Sequence, residues 1–264
     1  MIERLREGVW WIDGSASNVF LAVDEPTSSS RAKSASNEAD ATAGDDGTNA
    51  TVEEGSGADA TAENGDVVLV DAGTPGDADA IRDGIRETGY TVGDVSRVLV
   101  THYDYDHVGA LATLDGLDAP VYAHEPDASY LAGSDSPGLW PHKALLQRVT
   151  EPLLSTPSLP VETVADGETV GGFTAYHTPG HGPGHLAWIN PALETAFVGD
   201  LVRESDGDLA ASPWIVSYDT DTVADSVVSL ADRAPPFEVV GMGHGTPLRT
   251  DGDDAFERLA AELR

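Results

Sequence analysis

The sequence predicts an α/β fold, and three observations carry the prediction. Short apolar runs rich in Val, Ile and Leu alternate with segments of helical periodicity. Four of these runs end in His or Asp, as expected where loops at one edge of a sheet build a site. The chain has 264 residues, ample for the core of a large domain, and its ligand-type residues run from His102 to His244 without a long linker. A single domain over residues 1–264 is therefore expected.

Residues 9–12 and 18–23 read as the first two strands and 67–70 as the third. Residues 25–66 contain one large apolar residue, Val52, among mostly Ala, Gly, Ser, Thr, Asp and Glu. Such a segment cannot bury enough apolar surface to offset its ordering entropy, so a disordered acidic insertion, dispensable for chemistry, is expected there. Residues 77–88 read as a helix with Ala80, Ile81 and Ile85 on one side and Gly89 as its C-cap. Residues 98–100 form a buried strand leading into a polar loop, and a helix starts from Gly109. Residues 120–124 read as a strand and 125–131 as a short helix. A helix over 143–154 follows Trp140, which either walls a substrate pocket or packs a satellite core. Strands at Phe173–His177, 195–200 and 239–241, an amphipathic helix at Thr220–Arg233 and a closing helix at 253–264 complete the pattern.

The composition narrows the partners. There are 46 acidic and 14 basic residues, a net charge of −32, and Lys33 and Lys143 are the only lysines. Self-repulsion at this charge is relieved at high ionic strength, where the Debye length is ~3 Å at 1 M, so a salt-rich, haloarchaeal type of cytoplasm is expected. No cluster of Lys or Arg offers a nucleic-acid surface. Without cysteine, disulfides, thiolate ligands and cysteine nucleophiles are excluded. Residues 1–7 are charged, and no apolar run reaches membrane-spanning length. The expectation is a cytoplasmic protein acting on a small molecule, with neither nucleic acid nor membrane as partner; the sequence leaves the oligomeric state open.

The chemistry is concentrated in Thr101-His102-Tyr103-Asp104-Tyr105-Asp106-His107-Val108-Gly109-Ala110. Its imidazoles and carboxylates cannot all face one way on a helix or strand, whereas on a loop at a strand end they converge on a volume suited to one or two divalent cations. Further on come Pro179-Gly180-His181-Gly182-Pro183-Gly184-His185, then Gly199-Asp200, then Gly243-His244-Gly245, each close to a strand end. Repetition at four strand ends outweighs a reading of Asp104 and Asp106 as mere surface charge. His177 alternates with Phe173 and Ala175, so a packed or hydrogen-bonded role is favoured. No metal-type spacing recruits His124 or His142.

That order of motifs, together with Asp71-Ala72-Gly73 at an earlier strand end, resembles the metallo-β-lactamase-fold hydrolase superfamily, and its glyoxalase II-like and lactonase-like members in particular. The resemblance spans roughly residues 8–250 apart from the insertion. It implies a four-layer αββα sandwich, two mixed β-sheets flanked by helices, with a site for two divalent cations. Carried over by position, His102, Asp104 and His181 would hold one metal; Asp106, His107 and His244 the other; and Asp200 would bridge them. Asp71 would orient a ligand histidine, and His185 would support the site rather than ligate.

The superfamily's motif has His where this chain has Asp104. The carboxylate makes a harder donor set, so zinc is the first expectation and iron or manganese comes within range. The resemblance implies hydrolysis of a small ester, thioester or lactone by a metal-bound hydroxide, with Asp106 taking a proton. Two other readings remain: a mononuclear non-haem iron oxygenase of the persulfide-dioxygenase kind, disfavoured by the complete second ligand set, and a non-catalytic binding module stabilised by metal.

Overall fold

The computed structural model describes residues 1–24, 65–139 and 141–264. The expected acidic insertion lies outside the described residues except for Gly65 and Asp66, and so does Trp140. Seven strands form one sheet in chain order: β1 (Ile2–Arg6), β2 (Val9–Asp13), β3 (Asn18–Asp24), β4 (Asp66–Val70), β5 (Val95–Leu99), β6 (Val121–Ala123) and β7 (Val161–Thr163). The first four pair antiparallel, and from β4 onward the pairing is parallel. A second sheet contains β8 (Thr169–Val170), β9 (Phe173–His177), β10 (Leu186–Asn190), β11 (Thr195–Gly199) and β14 (Val239–Met242), adjacent in that order; only β11 and β14 are parallel. A hairpin of β12 (Val202–Ser205) and β13 (Asp208–Ala211) stands apart. The helices are α1 (Ala78–Glu87), α2 (Tyr105–Val108), α3 (Asp127–Leu131), α4 (His142–Thr150), α5 (Thr220–Arg233) and α6 (Gly252–Leu263).

Side-chain alternation explains the layering. On β3, Val19 and Leu21 face α1 in one core, while Phe20 and Ala22 face the second sheet. On β10, Leu186 and Trp188 enter the inter-sheet core, and Ala187 and Ile189 pack in the core of α5 and α6. Strands buried on both faces read as continuous apolar runs, which is why β3, β10 and β11 carry almost no exposed residue. The result is the expected four-layer α/β sandwich of two mixed sheets. Among the described residues no helix is long and apolar enough to cross a membrane.

Three local readings change. The polar run is not all loop: its second half winds into α2 from Tyr105, with Asp104 as the extended residue before it, and the 3₁₀ turn Gly109–Ala112 follows where the helix was expected to begin. Residues 2–6, read as merely charged, form the edge strand β1, whose charged side chains point to solvent. β7, β8, β10 and the hairpin β12–β13 also add to the strands read from sequence.

The carboxyl ends of β4, β5, β11 and β14 meet along one edge. Leu186 N donates to Thr101 O at 2.7 Å and Trp188 Nε1 to Val100 O at 3.0 Å, which clamps the two sheets beside His102.

Candidate metal centre

At that edge the structure brings together His102, Asp104, Asp106, His107, His181, Asp200 and His244. Three overlapping triplets have donor atoms within 4.8 Å of one another: His102–His107–Asp200, His102–Asp104–His181 and Asp106–His107–His244. Asp200 reaches both flanks, its carboxylate oxygens lying 3.4 Å from His107 Nε2, 3.4 Å from His181 Nε2 and 3.1 Å from His244 Nε2.

The four imidazoles share one orientation. Each has Nδ1 tied to a neighbour: His102 to Thr101 Oγ1 at 3.0 Å, His107 to Asp71 Oδ2 at 2.8 Å, His181 to Ser212 Oγ at 3.0 Å and His244 to Ala16 O at 2.9 Å. A carboxylate or carbonyl acceptor fixes Nδ1–H on His107 and His244, hydroxyls hold Nδ1 of His102 and His181, and every Nε2 turns inward, the arrangement that metal-binding histidines require. His185 differs. Its Nδ1 bonds to Thr178 Oγ1 and its Nε2 accepts the Asp200 backbone N–H at 3.1 Å, so both nitrogens are committed and it positions Asp200 instead.

Backbone geometry makes room for the convergence. Asp71 adopts φ +57, a conformation uncommon for a side-chain-bearing residue, and from there its carboxylate holds the Thr101 N–H and hydroxyl as well as His107. Gly243 has no tolerance for a side chain, because a Cβ would lie 2.0 Å from Asp200 Oδ1 and 2.6 Å from His107 Cε1. Gly199, at φ +47, turns the chain so that Asp200 faces the histidines.

The electrostatics divide the cluster. Burial depresses His102 to about 4 and also lowers His181, so both are neutral with available lone pairs. Burial would likewise lower His107, but Asp200 and Asp71 raise it well above the ordinary value; the Asp200 hydrogen bond raises His244 despite partial burial. Burial would raise Asp104 and Asp200, yet Lys143 and His102 hold the former, and His107 and His181 the latter, well below the usual carboxylate range. His107 Nε2 and Asp200 Oδ1 are buried without hydrogen-bond partners. Unsatisfied donor atoms of complementary type, facing one another, fit a cation well.

Two residues absent from the sequence reading complete the site. Lys143 and Gln147, four apart on α4, both point at Asp104: Lys143 Nζ lies 2.9 Å from Oδ2, and Gln147 Nε2 donates to Oδ1 at 2.6 Å. Lys143 is one of two lysines in a chain that otherwise uses Arg, and residues at i and i+4 share a helix face, but neither fact places α4 against Asp104. The remaining histidines have structural partners: His124 bonds to Val164 O, His177 to Pro183 O, and His142 to Trp214 O.

A histidine and carboxylate cluster at the common edge of two stacked mixed sheets defines a class of metal-binding α/β proteins, and comparison places the chain within it. Residues 60–244 match the model of the metallo-beta-lactamase superfamily, and the chain belongs to that superfamily. It is 28% identical over 223 residues to the probable metallo-hydrolase YflN of Bacillus subtilis (strain 168), covering 74% of this chain and 83% of the relative. It is 28% identical over 131 residues to a hydroxyacylglutathione hydrolase of Bdellovibrio bacteriovorus, covering 48% of this chain and 41% of that one. Among solved structures it resembles TTHA1623 in a di-iron-bound form, with 31% identity, a TM-score of 0.54, and 72% and 86% of the two chains covered.

Proposed function

We propose that the protein is a metal-dependent hydrolase that cleaves a small ester, thioester or lactone at a site for two divalent cations. The observation that carries this reading is the common orientation of His102, His107, His181 and His244, with every Nδ1 tied and every Nε2 facing Asp104, Asp106 and Asp200. His102, Asp104 and His181 would hold one cation and Asp106, His107 and His244 the other, with Asp200 within reach of both sets. When bound, the cations lower the pKa of water and polarise a carbonyl oxygen.

The chain's own residues do the rest. Asp106, partly exposed on the His244 side, is placed to hold a proton during the acyl transfer. Asp71 fixes the ring of His107, and His185 fixes Asp200 through its backbone N–H. Substrate approaches from the His244 side, where an open cleft is lined by Trp11, Ser15, Asn18 and Thr246. The resemblance to a hydroxyacylglutathione hydrolase supports a thioester or ester of a small acid. The acidic surface disfavours polyanionic substrates, and the composition supports a salt-rich cytoplasm as the working environment.

The donor set suits zinc, iron and manganese; the di-iron form of TTHA1623 supports iron. Elemental analysis of protein purified in high salt without added metal, paired with hydrolysis assays on thioester, ester and lactone panels, tests the reading. At least one retained metal equivalent, capacity for a second on metal addition, and ester-type turnover are expected. A single iron with oxygen consumption would replace the hydrolase by an oxygenase, and protein without metal affinity would remove both.

A further inference from the structure

α4 is amphipathic in reverse. Lys143, Ala144 and Gln147 face inward, while Leu145, Leu146 and Val149 are exposed. Its inward polar face meets at Asp104, and Gln147 also donates to Tyr103 O and accepts from the Tyr218 hydroxyl. Both oxygens of Asp104 are engaged, Oδ1 by Gln147 and Oδ2 by Lys143. The Lys143 side chain is 2% exposed, and Nζ lies at contact distance from Asp104 but without a hydrogen-bond partner among the described residues. A buried ammonium is costly unless a carboxylate offsets it, so the negative charge of Asp104 is already matched. Asp104 Oδ2 is also the atom that lies 3.1 Å from His102 Nε2 and 3.3 Å from His181 Nε2. The oxygen that would take the first cation therefore already faces one.

The other pocket has no such occupant. Among the described residues no Lys or Arg pairs with Asp106 or Asp200; their charged neighbours are histidines. Asp71 adds a further carboxylate behind His107.

We propose that Lys143 is a resident cation of the His102–Asp104–His181 pocket and makes metal loading unequal: the Asp106–His107–His244 pocket, with Asp200, fills first and tightly, and the Lys143 pocket fills only at higher metal concentration. The inference rests on the two-cation reading above and adds an order to it. The superfamily's His at position 104 would leave a buried lysine unpaired. Asp104 and Lys143 thus form one exchange, a carboxylate with its own counter-ion in place of a neutral imidazole.

The test is titration of the metal-free full chain with Mn²⁺ in high salt, counting bound metal by equilibrium dialysis and reading spin coupling by electron paramagnetic resonance. The expected result is one tight equivalent with an uncoupled signal, then a second at least about tenfold weaker whose binding introduces coupling, in line with the effect of residues that support ligands. Lys143→Met should tighten the second equivalent by about tenfold or more, and Asp106→Asn should remove the tight one. Metal-free Lys143→Met should melt below the parent, and the gap should close on metal addition. Should that variant not fold, the wild-type order of coupling and the Asp106→Asn titration still decide. Two equivalents of equal affinity, or a Lys143→Met ratio unchanged from wild type, would overturn the inference and leave the two-cation reading standing. Absence of any Mn²⁺ binding would overturn both.

Discussion

The His102–Asp104–His181 pocket and the Asp106–His107–His244 pocket draw on one short run of sequence but live in different surroundings. In the first, the histidines are fully buried and depressed by burial, and α4 supplies an ammonium and an amide to Asp104. In the second, His244 is 43% exposed, His107 and His244 are raised, and the carboxylates have no resident cation. Without metal, the second pocket attracts protons and the first does not. Residue types alone therefore do not set how the groups of a pocket hold protons; burial and the charge packed behind them do.

The largest effect should come from the residue common to both pockets. Asp200→Ala removes contacts to His107, His181 and His244 together, and hydrolysis of an ester substrate should fall by about 10³-fold or more, the equivalent of losing several kcal/mol of Lewis-acid stabilisation. Metal analysis of the variant should find both equivalents weakened; loss of one alone would assign Asp200 to a single pocket.

Asp104→His strikes the closed pocket. It leaves Lys143 buried without its carboxylate, and breaking such a pair costs about 3–5 kcal/mol. Urea denaturation of the metal-free variant should show that loss, and adding Lys143→Met should recover most of it. Equal stability of Asp104→His and wild type would mean that Lys143 reaches water when its partner goes.

Asp71→Asn probes the open pocket through His107. Its metal affinity should fall by about 10–100-fold, measured by competition with a chelating dye, while the closed pocket, touched only through Thr101, should change less.

The most gradual test, spread over a pH range, concerns the backbone between His102 and Asp104. Asp127 Oδ2 accepts the Tyr103 N–H, the Gly184 backbone packs against the same carboxyl, and burial pushes it up to about 7. Its folded pKa lies above the ordinary 3.8, so the neutral acid is the form that folding favours. The stabilisation is complete below about pH 4 and is lost as pH rises through about 7. Stability of the metal-free chain should fall across that window by at most about tenfold in folding constant per pH unit, and Asp127→Asn should flatten the slope. An identical slope in both would place Asp127 in contact with water.

Much of the sandwich was legible because buried strands advertise themselves: residues 19–23, 67–70 and 196–198 are continuous apolar runs, and Asp71 and Asp200 follow the last two closely. What escaped has physical reasons. β1 is an edge strand in which Glu3, Arg4 and Arg6 outnumber its apolar residues. β10 follows a Gly/Pro-rich turn, and five residues such as Leu186–Asn190 do not distinguish a strand from a buried helix segment. The hairpin β12–β13 turns at Asp206-Gly207, both at positive φ, and its four-residue strands mix polar and apolar residues without a run long enough to read. Seven residues of the candidate centre could be gathered from motif order, but Lys143 and Gln147 could not. Only tertiary packing carries α4 against Asp104, and no local pattern specifies a residue some forty positions away.

The end of the sheets opposite the centre has its own use. Asp24 and Asp66 are direct partners where β3 and β4 leave the described structure. Arg97 bridges them, Nη2 lying 2.5 Å from Asp66 and Nη1 3.8 Å from Asp24, while Asp24 also takes the Gly172 N–H and the Asn190 amide of the second sheet. The two chain ends thus emerge side by side from a fastened seam, a full strand length from the histidines. That seam is a natural splice point. Exchanging residues 25–64 for a short turn, a tag or a whole reporter domain should leave metal uptake at the parent level, and a drop in uptake would show that the segment contributes to the centre.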